Sequence, residues 1–382
     1  IVDFVRRKLK VGGVLYISYN TLPGWATFAP MRHLLTQHAE VMGIPGEGII
    51  KNIDGAIDFA EKFLEANPIY ARANPSIVER FKKLKNQNKN YLAHEYFNRD
   101  WHPMYFSKIS EWLEPAKVQY ACSANYLDHI DAINLTSDQQ NFLNAIHDPL
   151  LRQTNRDFLV NQQFRKDYWV KGPIKLRPLE QAVKIKKTKI VLTTPAEDLK
   201  LSVEGSLGEA SLNEEVYKPL IDLLSDHKII SIGEIEAKLS KILNFAQLTQ
   251  AVMILIGAGH VQPVVDVEPS LQAKETVRQM NMHLCANSLS NGDVGFLGSP
   301  ITGGGFAVSR FQQMFLHFMG SGLKKPDEWA KATWDLLAVQ GQKLIKDGNT
   351  LESPNDNLSE LKTRAEIFSR KNLPILKSLK IV

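Results

Sequence analysis

The chain has 382 residues, 44% hydrophobic and 9% aromatic, which is enough apolar material for two or three packed domains and too much for a disordered chain. Its 46 Lys and Arg against 41 Asp and Glu leave a net charge of +5, a surplus too small to mark a nucleic-acid binder. The two cysteines, Cys122 and Cys285, exclude a disulfide framework and point to a reducing, cytoplasmic setting, and no apolar run approaches the roughly eighteen residues of a membrane span.

The sequence opens inside an amphipathic pattern, Ile1 to Leu9. Gly12-Gly13 stops it, and Val14 to Tyr19 reads as a strand. Helix, Gly-Gly turn and buried strand make half of an α/β crossover. Such a strand wants parallel neighbours on both edges, and these are expected from residues outside this sequence. Asn20 to Trp25 is a rigid turn through its Pro23-Gly24 pair. Apolar spacing predicts helices over 30–42, 52–66 and 75–86. After a block dense in aromatic and polar side chains, 91–106, a helix runs to about Leu113 and a strand covers 117–121. This closes a first domain at 1–134, with a helical insertion at about 26–90.

A second unit is expected at 135–210. Thr136 or Ser137 caps its first helix, with Gln139 or Gln140 in the capping-box place. Residues 164–170 lead into its strands, and Lys184 to Leu192 and Leu199 to Val203 read as strands of a small sheet. Lysines 184, 186, 187 and 189 then resemble the charge pattern that protects a sheet edge. A third unit covers 211–382. Ser211 with Glu214, and Ser231 with Glu234, suit capping boxes. Three short helices and a strand over 211–265 resemble a winged helix. A strand follows at 294–297, then a flexible loop at Gly303-Gly304-Gly305, then helices at about 309–319, 327–340 and 358–370.

Several chemistries find no support. Gly257-Ala258-Gly259 lacks the preceding strand and third glycine of a dinucleotide loop. Gly303 to Gly305 lacks the Lys-Ser/Thr of a phosphate loop. His283 and Cys285 are two ligands, too few for structural zinc, so no metal is expected. No Gly-x-Ser-x-Gly is present. The third helix of the winged-helix-like region, over 246–253, has no Arg or Lys, which argues against DNA recognition.

Two places can bind a ligand. Ligands of α/β sheets sit beyond the carboxyl ends of the strands, where Tyr19, Asn20 and Trp25 lie. The block His94-Glu95-Tyr96-Phe97-Asn98 offers aromatic walls, a carboxylate and an imidazole, which suit an ammonium group. Tyr19, Asn20, Trp25, His94, Glu95, Tyr96 and Asn98 are therefore the substrate-pocket candidates. The competing reading packs the first group against the sheet end and the second into an interdomain seam. No catalytic residue is named.

The run from Gly12 to Trp25, GGVLYISYNTLPGW, resembles bacterial class I S-adenosylmethionine-dependent methyltransferases that carry a methyltransferase regulatory domain. The block from His94 to Asn98 with Pro103 and Tyr105-Phe106, then Asp157-Phe158-Leu159, Asn161 and Phe164-Arg165, then Leu297 to Gly305, are similar to later segments of the same family. Its rickettsial members include lysine methyltransferases that modify an outer-membrane protein. The resemblance implies an α/β and α+β multidomain chain: the C-terminal part of a Rossmann-like sheet with its insertion, a regulatory α+β domain, and a mostly helical C-terminal domain. It also implies S-adenosylmethionine as cofactor of the full-length protein, a protein substrate, and a homodimer through the insertion. The family's glycine-rich cofactor loop and acidic ribose contact would precede Ile1, so this chain alone is expected neither to bind the cofactor nor to transfer a methyl group. Two other readings stand beside the lysine one. A methyltransferase of another substrate class would differ in what its pocket takes, and a non-enzymatic regulatory or interaction module would need no cofactor. Residues upstream of Ile1 with a strand and Gly-x-Gly would separate enzyme from module.

Overall fold

The computed structural model describes residues 1–44, 46–265 and 267–382, the side chains of 267–272 aside. Its contacts fall into two compact units, one of residues 1–175 with 205–208 and one of 176–204 with 209–382. Both mix helices with small sheets.

In the first unit α1 (Val2–Lys8) leads into β1 (Val14–Asn20). A one-turn helix, α2 (Leu22–Trp25), is followed by α3 (Ala29–Val41), α4 (Ile49–Glu65), α5 (Ile69–Ala73), α6 (Ser76–Lys85) and α7 (Lys89–Glu95). The apolar spacing forms these helices. Ile53, Ala56, Ile57 and Ala60 make one buried stripe on α4, as a helical period demands. With Phe28, Met31 and Leu35 they build a core belonging to this helical group. The chain then runs through α8 (Phe106–Leu113), β2 (Val118–Ser123), α9 (Asp131–Asn134), α10 (Ser137–Asn144), α11 (Pro149–Leu159) and β3 (Phe164–Lys171). The capping box of Thr136 and Gln139 opens α10.

The parallel partner expected for β1 is not what the described residues supply. β3 lies between β1 and β2 and runs antiparallel to both, so β1 and β2 point the same way. The strand read as leading into a middle unit is thus the central strand of this sheet. Its inner face carries Arg165, Asp167 and Trp169, while Phe164, Lys166 and Tyr168 face out. Trp169 stacks on Phe106 of α8 at 5.7 Å between ring centroids, and Leu15, Ile17 and Tyr19 of β1 pack on the same side.

The second unit holds α12 (Pro178–Lys187), β4 (Lys189–Leu192), β5 (Ser202–Gly205) and β6 (Gly208–Ser211) apart from their tip at 205–208, α13 (Glu214–Leu224), β7 (Ile230–Ser231), α14 (Ile232–Leu239), α15 (Phe245–Gly257) and β8 (Val261–Pro263). It continues with α16 (Val267–Asn287), β9 (Phe296–Ser299), β10 (Gly304–Ala307), α17 (Arg310–Gly320), α18 (Pro326–Val339), β11 (Ile345–Lys346), β12 (Asn349–Thr350), α19 (Pro354–Ile367) and α20 (Leu373–Ser378). β4 is flanked by β7 and β8. Phe315, Trp329 and Phe368 centre the core of the later helices.

Three local expectations are corrected here. Residues 184–187 are the last turn of α12, not strand; Pro178 starts the helix, and Lys184, Lys186 and Lys187 sit at its carboxyl end, where cations suit the helix dipole. Ser211 ends β6, and Asn213 caps α13 instead, accepting the Glu215 N–H at 2.9 Å. Only Gly303, with φ of +71°, makes a turn, because Gly304 and Gly305 pair with Ser299 and Gly298 in the β9–β10 hairpin. The Ser231–Glu234 box forms and opens α14.

Candidate functional site

Successive side chains on a strand point to opposite faces, so Tyr19 and Asn20 part company at the end of β1. The Asn20 Oδ1 accepts the indole N–H of Trp25 at 3.1 Å. The Trp25 ring meets Tyr96 and Trp101 edge-on, at 5.5 and 4.9 Å between centroids. The Arg80 guanidinium lies 3.8 Å from the Trp25 centroid and donates to the Gly24 carbonyl at 3.2 Å. Arg32 sits 4.6 Å from the Trp101 centroid and donates to the carbonyls of Tyr96 and Asn98. Burial holds both guanidiniums below their ordinary value. Half-buried cation–π contacts of this kind are worth about 0.5–1 kcal/mol each. Trp25 and Tyr96 are buried in the helical core.

The structure therefore brings Asn20, Trp25, Tyr96 and the backbone of Asn98 together. The Asn98 side chain accepts the Asp100 N–H at 2.9 Å. His94 is exposed and Glu95 half-buried. Tyr19 belongs to a different group on the inner face of the sheet.

That group is built on β3. The Arg165 Nε donates to both oxygens of Asp167, at 2.9 and 3.2 Å, and its Nη1 donates to Asp157 Oδ1 at 2.5 Å. Its Nη2 donates to the Tyr120 hydroxyl and to Gln153 Oε1, both at 3.2 Å. The Tyr19 hydroxyl donates to Asp167 Oδ2 at 2.8 Å. Arg165, Asp167 and Asp157 are 6%, 0% and 2% exposed. β3 supplies Arg165 and Asp167 two residues apart on one face, β1 supplies Tyr19, β2 supplies Tyr120, and α11 supplies Gln153 and Asp157.

The electrostatics follow from this burial. Desolvation, reinforced by Asp167, pushes the Tyr19 phenol far up, and desolvation raises Tyr120 as well. Both remain protonated donors and cannot act as bases near neutrality. Burial opposes the charge on Arg165, but Asp157 and Asp167 more than offset it and its value rises. Burial lifts Asp157 to about 6, against the pull of Arg165.

Beside this network, at the carboxyl end of β2, lies a polar cavity of about 70 Å³. Ser123, His129, Gln153, Arg156, Asp157 and Arg165 are among its lining residues. Among the described residues, no three His, Cys, Asp or Glu side chains are grouped to hold a metal ion, and no helix is long and apolar enough to cross a membrane.

Sequence reasoning named Asp157 and Arg165 only as family positions, and missed Asp167 and Tyr120. The strand 164–169 carries charged and aromatic side chains on both faces, Phe164, Lys166 and Tyr168 on one and Arg165, Asp167 and Trp169 on the other, so its pattern does not say which face is inward.

The first unit is thus a mixed α/β fold with polar groups gathered at the ends of β1 and β2. A model of a predicted methyltransferase regulatory domain matches residues 88–171, the span that holds Tyr120, Asp157, Arg165 and Asp167. The uncharacterized protein sll1526 of Synechocystis is 38% identical over 382 residues, all of this chain and 74% of that protein. The uncharacterized protein RP789 of Rickettsia prowazekii is 24% identical over 219 residues, 57% of this chain and 38% of that one. The structure of PKMT2 from Rickettsia typhi in complex with AdoHcy superposes with a TM-score of 0.65 at 14% identity, over all of this chain and 77% of that one. A second structure of PKMT2 gives 0.61 at 16%, over 98% of this chain and 76% of that one. The chain belongs to one family with sll1526, which it matches over all of its own residues, and its residues 88–171 match the predicted methyltransferase regulatory domain.

Proposed function

We propose that the chain is the substrate-side part of an S-adenosylmethionine-dependent methyltransferase acting on lysine side chains of a protein. The observation that carries the reading is the fold shared with PKMT2 bound to AdoHcy, with a polar cavity at the strand ends where α/β folds bind ligands. The lysine part rests on the family resemblance.

Gly24, the glycine that follows β1, does not offer a cofactor turn. A cofactor turn needs a glycine whose missing Cβ leaves room for the ligand. After β1 that position is Gly24, and a Cβ there would meet Gln163 Cγ at 2.3 Å and the Gln162 and Asn161 carbonyls at 2.6 and 2.7 Å. The glycine's free space is filled by the chain's own backbone. The proposal places the cofactor loop in the portion of the family's length that this chain does not span, since it covers 74% of sll1526.

For transfer, the work of these residues is alignment: two oriented strand ends and a rigid charged network fix where an amine can lie. The tip of the α3–α4 hairpin exposes Val41, Met42, Ile44 and Ile49, which supports a homodimer through that insertion.

Incubation of a full-length family member with methyl-labelled S-adenosylmethionine and a mixed protein substrate tests the function, read as methyl-lysine in acid hydrolysates. Label on lysine is the expected result. Label on carboxylates, on other side chains or only on small molecules overturns the lysine reading. Calorimetry on the 382-residue chain should show no cofactor binding, and stoichiometric binding in the micromolar range would overturn the placement of the cofactor site.

A further inference from the structure

The β9–β10 hairpin of the second unit has one edge closed by a side chain and one edge left open. In an antiparallel pair, residues that exchange hydrogen bonds with the partner strand alternate with residues whose backbone groups point away from it. Here Phe296 stands opposite Ala307, and Gly298 opposite Gly305. The Val308 N–H donates to the Gly295 carbonyl at 2.9 Å, which fixes the alternation. Gly298 on β9, and Gly305 and Ala307 on β10, turn their N–H and C=O groups outward. On β9 the Gly298 groups are taken up by α16. The Gly298 N–H donates to Asn281 Oδ1 at 2.8 Å, and its carbonyl accepts from Asn281 Nδ2 at 2.9 Å. On β10, among the described residues, no group meets the outward N–H and C=O of Gly305 or Ala307, and both residues are exposed.

Sheet edges are usually guarded by Lys, Pro, a bulge or a covering element. β10, Gly304-Gly305-Phe306-Ala307, has neither charge nor proline. Its glycines are not demanded by the fold. Neither has a left-handed φ, and a Cβ on Gly304 would meet nothing within 4 Å, while one on Gly305 would meet Phe296 at an ordinary 3.5 Å. A bare strand of this kind admits close approach by another backbone.

Gly303, Gly304 and Gly305 also line an apolar groove of about 610 Å³. Its other wall is one face of α16, with Val277, Met280 and Leu284, and no charged residue is among those that line it. Met280 and Phe296 are 46% and 59% exposed. Residues opposite each other in a ladder share a face, so Gly305 and Ala307 lie on the face of Gly298 and Phe296. A strand added beside β10 would point its residues opposite Gly305 and Ala307 to that same face, two positions apart. Strand addition takes its attachment from main-chain hydrogen bonds and its selectivity from pockets for alternate side chains.

We propose that the open edge of β10 and this groove form a docking site for an extended, uncharged segment of another protein, apolar at alternate positions. The segment lies beside β10 as an added strand and exchanges hydrogen bonds with the N–H and C=O groups of Gly305 and Ala307. Its alternate side chains enter the groove beside Phe296. A charged side chain is excluded there, because the groove offers no counter-charge and an unpaired buried charge is costly. A second copy of β10 is the poorer occupant, since so short an edge falls well below the area of about 1,000 Å² that a stable interface needs.

Fluorescence anisotropy with labelled, end-capped peptides Thr-X-Thr-X-Thr tests the site, with X as Val, Ile, Leu or Phe, and as Lys or Glu in the controls. The expected result is saturable binding of apolar peptides and none of the charged ones. The two X residues are those paired to Gly305 and Ala307, so N-methylation at X should abolish binding, whereas N-methylation of the central Thr, whose N–H points away, should leave it intact. Ala307→Pro removes an outward donor while sparing the bonds to β9, and should weaken binding about tenfold. Should that variant fail to fold, Met280→Lys keeps the hairpin and places a charge in the groove, and it should weaken binding to a similar degree. The proposal is overturned by absent saturation with every apolar peptide, by equal binding of the Lys or Glu peptides, by indifference to N-methylation at X, or by unchanged affinity in a folded variant. A wild-type dimer in sedimentation that Ala307→Pro dissociates would also overturn it, by giving the edge to a second copy.

Discussion

The Tyr19 hydroxyl donates to Asp167 across the β1–β3 pair, over a separation of 148 residues and a distance of 2.8 Å. Tyr19 lies opposite Arg165 in the register, and Asp167 is the diagonal neighbour on the same face, within reach of a long side chain. Tyr19→Phe keeps the ring and its packing while removing one donor from a buried carboxylate. Arg165 still holds both oxygens, so the expected loss is about 1–3 kcal/mol. Urea unfolding followed by fluorescence reads it as a lower midpoint with an unchanged slope. An unchanged midpoint would show that the bond contributes nothing.

Arg165 is the residue on which the network depends. Its removal leaves two buried carboxylates without a cation, and breaking a buried pair by deleting one partner costs about 3–5 kcal/mol. Arg165→Leu is expected to unfold the first unit or leave it soluble only at acid pH. Arg165→Lys restores the charge without the planar fork that spans Asp157, Asp167, Tyr120 and Gln153, so it should recover only part of the stability. Circular dichroism melts of the three proteins give the order directly. A lysine variant as stable as the wild type would reduce the fork geometry to simple charge.

Asp157 sets a pH dependence with a definite sign. Its ordinary value is near 4 and burial lifts it to about 6 in the folded chain. The folded state therefore binds more protons than the unfolded state between those values, and stability falls as pH rises through the window. A shift of this size corresponds to about 3 kcal/mol at most. Asp157→Asn cannot titrate, so the stability of the wild type minus that of the variant should decline between pH 4 and 6.5 and level off above. Arg165 and Gln153 face the carboxyl from β3 and α11, and neither changes charge in that range. Urea midpoints in an amine-free buffer, taken at half-unit pH steps, measure the slope. A flat difference would mean that Asp157 titrates normally.

What could be read before the structure was largely local. The stripe on α4 and the capping boxes of Thr136 and Ser231 are encoded within one or two helical turns. Pairing of β3 between β1 and β2 is not, because it joins residues about 150 positions apart on one side and about 50 on the other. The run 164–170 pointed to strand but not to which face was buried, since each face carries both charged and aromatic side chains. The lysines after Val183 misled for a related reason: a short basic run fits a sheet edge and a helix end equally well. At the site, Asn20 and Trp25 were legible as neighbours of a strand end and Tyr96 as part of a separate aromatic block, but not their meeting. The Asp157–Arg165–Asp167 group was not, because its members meet only through the sheet.

Gly24 makes the last expectation, and it concerns how the strand end is held. The Gly24 N–H donates to the Gln162 carbonyl at 2.9 Å, the Thr21 hydroxyl donates to the same carbonyl at 2.5 Å, and the Thr21 N–H donates to the Gln163 carbonyl at 2.9 Å. Two backbone segments thus lie against each other with no side chain between them. A Cβ at residue 24 would stand 2.6 and 2.7 Å from the Gln162 and Asn161 oxygens, and the Gln162 oxygen cannot move without opening two of those bonds. Overpacking of this kind costs about 1–3 kcal/mol, and Gly24→Ala should lie at the upper end because the obstacle is backbone. Gly55 supplies the control within the same unit. It sits inside α4, and a Cβ there meets only His38 Cε1 at 3.9 Å. Gly55→Ala should stabilise the chain by about 0.5–1 kcal/mol through helix propensity alone. Chemical denaturation of the two variants should therefore move the midpoint in opposite directions. If Gly24→Ala were neutral, the turn would have slack to shift, and the placement of Asn20 and Trp25 would not depend on that close approach.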